Sequence, residues 1–279
     1  MSHDIPKFLR AAWEAANAAG EVIRDNWERP GTIEYKGAID LVTSVDRQAE
    51  RKIIEVLQRD FPDHSFLAEE AAGIEGRTNE YRWIIDPLDG TTNFAHGYPH
   101  VGVSIALERN EQVILGLVYD PLRRECFRAV KEQGATLNGT PIRVSKVDEL
   151  DKALLATGFP YDSRENAAYY LAFFRAFLTR SQGIRRAGSA ALDLCYVASG
   201  RIDGFWELKL KPWDVAAGAL IVAEAGGSLS DFSGKPSSIF GGETLASNSI
   251  IHNEMIGVMN GLINEQSISQ TRVDCTDPE

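Results

Sequence analysis

Asp86-Pro87-Leu88-Asp89-Gly90-Thr91-Thr92-Asn93-Phe94 follows an apolar, strand-like run, Tyr81-Arg82-Trp83-Ile84-Ile85. Pro87 lacks the N–H that a strand ladder needs and pushes Asp86 toward extended backbone, so the strand is expected to end here. Asp89-Gly90 signals a turn, because Gly takes positive φ at no steric cost and lets backbone N–H groups approach a ligand. Two carboxylates three residues apart, with the Leu88 carbonyl between them, can converge on one point. Hard oxygens of that kind suit Mg2+. A lone Asp-Gly would read as a tight turn with Asp86 capping a strand end; the whole nonapeptide favours the binding reading.

Further acids fall where other elements end. Glu69-Glu70 follows Ser65-Phe66-Leu67, read as a strand, and precedes a Gly-rich polar loop over 73–80. In isolation the pair would be a solvated acidic surface. Beside Asp86 and Asp89 it makes four carboxylates at two strand ends, whose repulsion raises their pKa values unless cations join them. Asp214 opens a helix over 214–225, where an N-cap is the bland reading. Asp46 opens a second amphipathic helix through Ile53, Ile54 and Leu57, again as a possible cap. Gly90-Thr91 and Gly188-Ser189-Ala190 each precede a helical segment, and helix N-termini suit anions. Glu207 stands at a strand end, where a glutamate is usually solvated. His64, His96 and His100 match no zinc spacing. Lys36 would lie near the same acids, but a surface lysine is the default reading; Arg185-Arg186 could bind phosphate, with a solvated basic patch the favoured reading.

Helical spacing of Phe8, Ala12, Ala15, Ala19, Val22 and Ile23 predicts a first helix, stopped by Pro30-Gly31. Beyond the nonapeptide, 101–107, 113–119 and 125–130 read as antiparallel strands, and Leu137-Asn138-Gly139 as a further turn. Strand and helix then alternate: 153–157, a helix over 164–180, 184–186, a helix over 189–199, 202–207 and the helix over 214–225. The chain therefore divides into a strand-rich part, 1–147, an alternating part, 148–265, and a polar tail, 266–279, expected to be weakly ordered.

A chain of 279 residues that is 44% hydrophobic and 25% charged can bury a sizeable core. Its net charge of −11 weighs against nucleic acid or an anionic membrane as the main partner. A phosphate substrate stays open, because bound cations reverse the sign of a site. Cys126, Cys195 and Cys275 are widely spaced and offer neither a disulfide framework nor a zinc site. With no signal-peptide pattern and no apolar run of membrane-spanning length, a cytoplasmic location is expected.

The nonapeptide resembles the signature of the inositol monophosphatase family, the lithium-sensitive, Mg2+-dependent sugar-phosphate phosphatases. Trp213-Asp214-Val215-Ala216-Ala217-Gly218 resembles that family's second motif, and the likeness runs in order from Lys36 to about Gly227. The resemblance implies an α/β fold of layered α/β/α/β/α type in two lobes, commonly a homodimer. It implies metal ligands at Glu69, Asp86, the Leu88 carbonyl, Asp89 and Asp214, holding two Mg2+ and loosely a third. It also implies that Asp46 hydrogen-bonds the Thr91 hydroxyl, so that Glu69, Thr91 and Asp46 position an attacking water. Substrate contacts are implied at Asp89, Gly90, Thr91, Gly188, Ser189, Ala190, Glu207 and Asp214. Ala71 departs from the Ser or Thr that follows the glutamate pair in many relatives, without touching a ligand. The expected activity is hydrolysis of a small-molecule phosphate ester, myo-inositol monophosphate first. Fructose 1,6-bisphosphate, NADP, histidinol phosphate or a phosphoadenosine nucleotide are alternative substrates, and a largely non-catalytic regulatory module is the alternative of a different class.

Overall fold

The computed structural model describes residues 4–274 except 30, 38, 39, 72 and 79, with side chains as far as residue 263. The alanine-rich face of α1 (Ile5–Asp25) buries Phe8, Ala11, Ala12, Ala15, Ala16, Ala19 and Ile23. Small side chains there let a second helix come close. After the antiparallel pair β1 (Ile33–Tyr35) and β2 (Leu41–Thr43), α2 (Ser44–Asp60) packs beside α1 through Val45, Ala49, Ile53 and Leu57. Thr43, not Asp46, is the N-cap of α2. Asp46 sits one turn in and accepts the Thr43 N–H at 2.9 Å, completing a capping box.

β3 (Ser65–Ala68), β4 (Tyr81–Asp89), the single helical turn α3 (Thr91–Ala95), β5 (Gly102–Arg109), β6 (Gln112–Asp120), β7 (Glu125–Val130), β8 (Ala135–Leu137) and β9 (Thr140–Pro141) follow. The strands form one seven-stranded sheet in chain order, with β3 parallel to β4 and every other pair antiparallel. Pro87 does not end its strand as expected. β4 runs on to Asp89 through a bulge, in which Asp86 pairs with Ser104 and Asp89 with Gly102, so Pro87 and Leu88 oppose Val103 alone. A bulge is where a strand tolerates a residue with no N–H. Asn138 (φ 49°) and Gly139 (φ 83°) make the tight turn between β8 and β9.

The second half adds β10 (Leu154–Thr157), α4 (Ser163–Leu178), β11 (Gly183–Arg185), α5 (Ala190–Ala198), β12 (Gly204–Leu208), α6 (Pro212–Glu224), β13 (Ser228–Ser230), β14 (Glu243–Ser247) and α7 (His252–Asp274). Five strands form a sheet of order β11-β10-β12-β14-β13. Side-chain alternation then builds the layers. Trp83 and Ile85 face α1 and α2, whereas Ile84, Ala106 and Val118 face α5 and α6. Phe205 and Ala246 of the smaller sheet meet α5 and α6 from the other side. Trp206 and Leu245 turn outward onto Phe173 and Phe177 of α4 and Met255 and Met259 of α7. The layered α/β/α/β/α expectation is thus borne out. Glycines set the spacing of the middle layer: a Cβ on Gly116 would lie 2.6 Å from the Ala217 carbonyl oxygen, and one on Gly218 would lie 2.7 Å from Leu194. α7 continues to Asp274, across most of the segment expected to be weakly ordered; residues 275–279, with Cys275, lie outside the described residues. Cys126 and Cys195 are buried and unpaired. Among the described residues no helix is long and apolar enough to cross a membrane.

Candidate active site

Because β3 and β4 run parallel with Ala68 beside Ile85, Glu69, just past β3, comes beside Asp86 of β4 at one end of the larger sheet. The Glu69 N–H donates to the Ile85 carbonyl at 3.3 Å and continues the ladder past β3. The bulge then turns the chain so that Asp89 meets the start of α5. Its Oδ2 accepts the Ser189 hydroxyl at 2.6 Å and the Ala191 N–H at 2.8 Å. Ser104, opposite Asp86, donates to the Trp213 carbonyl at 3.0 Å and brings the first turn of α6 to the same end. Asp214 is not the N-cap of that helix. Lys211 is, and its N–H donates to Asp214 Oδ2 at 2.7 Å.

Gly90 must be glycine. Its φ is 98°, and a Cβ would stand 2.9 Å from the His100 carbonyl oxygen. Asn93 Nδ2 ties that turn to His100 O at 2.8 Å, Ala187 O at 2.9 Å and Gly188 O at 3.2 Å. The Thr91 hydroxyl lies 2.8 Å from Asp46 Oδ1 and 3.1 Å from the Leu88 carbonyl oxygen. Lys36 is no free surface cation. It pairs with Glu70 and, at 3.4 Å, with Glu69. Glu70 is anchored in turn through its N–H to Glu50 Oε2 at 2.9 Å.

The electrostatics follow from burial. Desolvation pushes the Glu69 carboxyl up to about 8, with Asp214 and Glu70 adding to it and Lys36 opposing. Asp86, the most enclosed, rises well above the usual carboxylate range by burial, then by Glu69, Asp89 and Asp214. Asp214 rises to about 8 through burial and Asp89. Asp89 rises only to about 6, because Ser189 and Ala191 oppose its burial by hydrogen-bonding the anion. Asp46 is also raised by burial, against its bonds from Thr43 and Thr91.

The second half of the chain adds a further buried acid on the smaller sheet. Glu207, next to last in β12, lies beside Gly158, whose missing side chain makes its room: a Cβ on Gly158 would lie 2.1 Å from Glu207 Oε1. Burial raises Glu207 to about 8, with Arg186 opposing. His64 and His100 stand apart from this chemistry. His64 lies between Phe61 and Tyr81 at ring distances of 4.8 and 4.7 Å, its Nδ1 accepting the Trp83 indole N–H at 3.1 Å.

The profile of the inositol monophosphatase family matches residues 4–270. The chain belongs to the inositol monophosphatase family. It is 47% identical over 251 residues to the protein named Nus factor SuhB of Haemophilus influenzae, covering 89% of this chain and 94% of that one. It is 48% identical over 253 residues to inositol-1-monophosphatase of Synechocystis, covering 90% and 88%. The crystal structure of the extragenic suppressor protein suhB from Bartonella henselae superposes with a TM-score of 0.88 at 38% identity, covering 91% and 98%.

Inositol monophosphatases are generally metal-dependent, and the donor chemistry here fits a hard divalent cation. The hydrogen bonds engage one oxygen each of Asp86 (Oδ1, from the Leu88 N–H), Asp89 and Asp214, while cationic compensation comes from Lys36 near Glu69 and Lys211 near Asp214. Among the described residues no three acidic, histidine or cysteine groups close around one point. The structure brings Glu69, Asp86, Leu88, Asp89, Asp214, Thr91 and Asp46 to one end, with Gly90, Gly188, Ser189 and Ala190 tied to it through Asn93 and Asp89. Sequence reasoning passed over Gly158 and Tyr161. Tyr161 follows Gly158-Phe159-Pro160, and Asp40, Glu69, Asp214 and Asp89 add to the burial that raises its hydroxyl pKa. A Gly-x-Pro directly after a strand was the available signal.

Proposed function

We propose that this chain is a Mg2+-dependent phosphomonoesterase that hydrolyses a polyol phosphate, with myo-inositol monophosphate the first substrate to try. The observation that carries the reading is the gathering of Glu69, Asp86, Asp89 and Asp214, from three separate stretches, beside the Asp46–Thr91 hydrogen bond. Glu69, Asp86 and the Leu88 carbonyl would hold one Mg2+ and Asp86, Asp89 and Asp214 a second, the pair supplying an acidified water and charge compensation at the leaving oxygen. In this reading Thr91 Oγ1, held by Asp46 Oδ1, orients the attacking water and takes its proton toward Asp46. Glu69 holds that water from the other side. The N–H groups of Gly90 and Thr91 receive phosphate oxygens, while Ser189, Ala190 and Glu207 receive hydroxyls of the alcohol. Residues 1–147 would supply the acids of β3 and β4, and residues 148–265 Asp214 and the alcohol side. A homodimer in the cytoplasm is the expected assembly.

A panel of phosphate esters, assayed for phosphate release with and without Mg2+ and Li+, tests this reading. Mg2+-dependent, Li+-inhibited release from myo-inositol 1-phosphate supports it; release in excess EDTA contradicts it. The relatives' name Nus factor favours a second reading, a regulatory module acting through a protein partner. An Asp89→Asn chain that loses phosphatase activity yet keeps its cellular role would favour that second reading.

A further inference from the structure

A cavity of about 600 Å3 opens at the start of β4, the end of the larger sheet opposite the acid cluster. Its floor is a row across three strands: Arg82 of β4 pairs with Glu108 of β5, and Glu108 with Val113 of β6. Paired residues share a face, and two interstrand steps of about 4.8 Å separate the ends of the row. The β13–β14 loop covers it through Ser237, Ile239 and Phe240, and Glu111 lines it from the β5–β6 turn. The volume is that of a small-molecule site.

The groups around this cavity hold unused bonding capacity. Arg82 spends Nη2 on both Glu108 oxygens at 2.9 Å, and its Nε is enclosed with no acceptor among the described residues. The Glu111 carboxylate makes no ion pair or hydrogen bond among the described residues. Its backbone is held at φ 64°, the second position of a two-residue hairpin loop whose first is Asn110 at φ 48°. Glycine is the residue favoured there, so this glutamate stands against its own backbone preference. Phe240 is 62% exposed, with the Arg82 guanidinium 5.7 Å from its ring centroid.

Charge selects the ligand class. Glu108 neutralises Arg82, and Glu111 adds an uncompensated negative charge, so a simple phosphate or carboxylate is repelled. The complement is a neutral planar ring with an acceptor edge for Arg82 and a donor edge for Glu111. We propose that this cavity binds a guanine nucleoside. Guanine presents N7 and O6 as acceptors on one edge, and its N1–H and N2 amino group donate on another. Phe240 and the guanidinium plane offer it a stacking surface. Adenine places an amino donor where guanine has O6, facing the cation.

Calorimetric titration with guanosine, which carries no phosphate to draw it to the acid cluster, tests the site. Saturable binding is expected, with adenosine at least about tenfold weaker. Glu111→Gln should lower guanosine affinity at least about tenfold at an unchanged melting temperature. Glu111→Gly should lower it equally while raising the melting temperature, because the turn then holds its favoured residue. No saturable guanosine binding, equal binding of adenosine, or an affinity unchanged in both Glu111 variants overturns the proposal. Guanosine binding that survives those variants but is lost in Asp89→Asn would place the nucleoside at the acid cluster and overturn it as well. None of these results touches the phosphatase reading.

Discussion

Asp46 accepts on both carboxylate oxygens, from Thr43 through Oδ2 and from Thr91 through Oδ1. An amide there must present N–H₂ to one of those donors, so Asp46→Asn keeps the shape and loses either the cap or the Thr91 bond. We expect kcat to fall about a hundredfold, the size of a typical general-base contribution, read by steady-state kinetics with the ester saturating. A fall under threefold would remove Asp46 from the proton path. Gly158→Ala places a methyl 2.1 Å from the Glu207 carboxyl, which must move. KM for the ester should then rise about tenfold, the loss of one good contact, with the melting temperature nearly unchanged because the displaced group is the end of a side chain. These residues also mark what was legible. Asp86 and Asp89 could be found because their convergence is local, two carboxylates on one turn. The Gly158–Glu207 fit is a contact across 49 positions, and neither residue type announces it.

β4 shows where element-level reading succeeds and fails. The apolar run from Tyr81 correctly marks a strand, and helical spacing correctly marks α1, because periodicity reports which face meets the core. Pro87 misled, since local propensity sees only a missing N–H, whereas the sheet offers a bulge at which none is needed. The caps of α2 and α6 misled in a similar way. Each acid sits at the third helical position and bonds back to the cap residue, so a carboxylate near a helix start was placed at the wrong end of its own hydrogen bond. The packing of α6 on the larger sheet was not legible at all, because it depends on Gly116 meeting Ala217. Gly116→Ala forces the helix off the sheet. Overpacking of this kind costs about 1–3 kcal/mol, so thermal unfolding should begin several degrees lower. An unchanged melting temperature would show that this contact relaxes without cost.

At the scale of the molecule, the acid cluster and the buried histidines set opposite pH trends. Glu69 and Asp214 at about 8 and Asp89 at about 6 lie above their unfolded values, so the cation-free fold binds more protons than the unfolded chain. Their contribution to stability is complete near pH 4 and is lost as pH rises toward 8. His64 and His100, lowered to about 4 by burial, favour the fold above pH 6.5 and lose that contribution as pH falls toward 4. Between pH 6.5 and 8 only the carboxylates act, so the metal-free melting temperature should fall across that range. Mg2+ at a hundred times its dissociation constant adds about 2.7 kcal/mol, and it should raise the melting temperature by several degrees at pH 8. A metal-free melting temperature that rises from pH 6.5 to 8 would refute the assignment of these shifts. The five-layer order was read from the family resemblance, since no residue spacing states which sheet face a distant helix covers.

On the proposed reading, divalent ions replace the protons that burial would otherwise keep on the four carboxylates. Calorimetric titration of Mg2+ at pH 7, in two buffers of different ionisation enthalpy, measures that exchange directly. The account predicts saturable binding with net proton release, abolished by Asp89→Asn and strongly weakened by Asp214→Asn. Saturable binding that releases no protons, or binding unchanged in both variants, would contradict it.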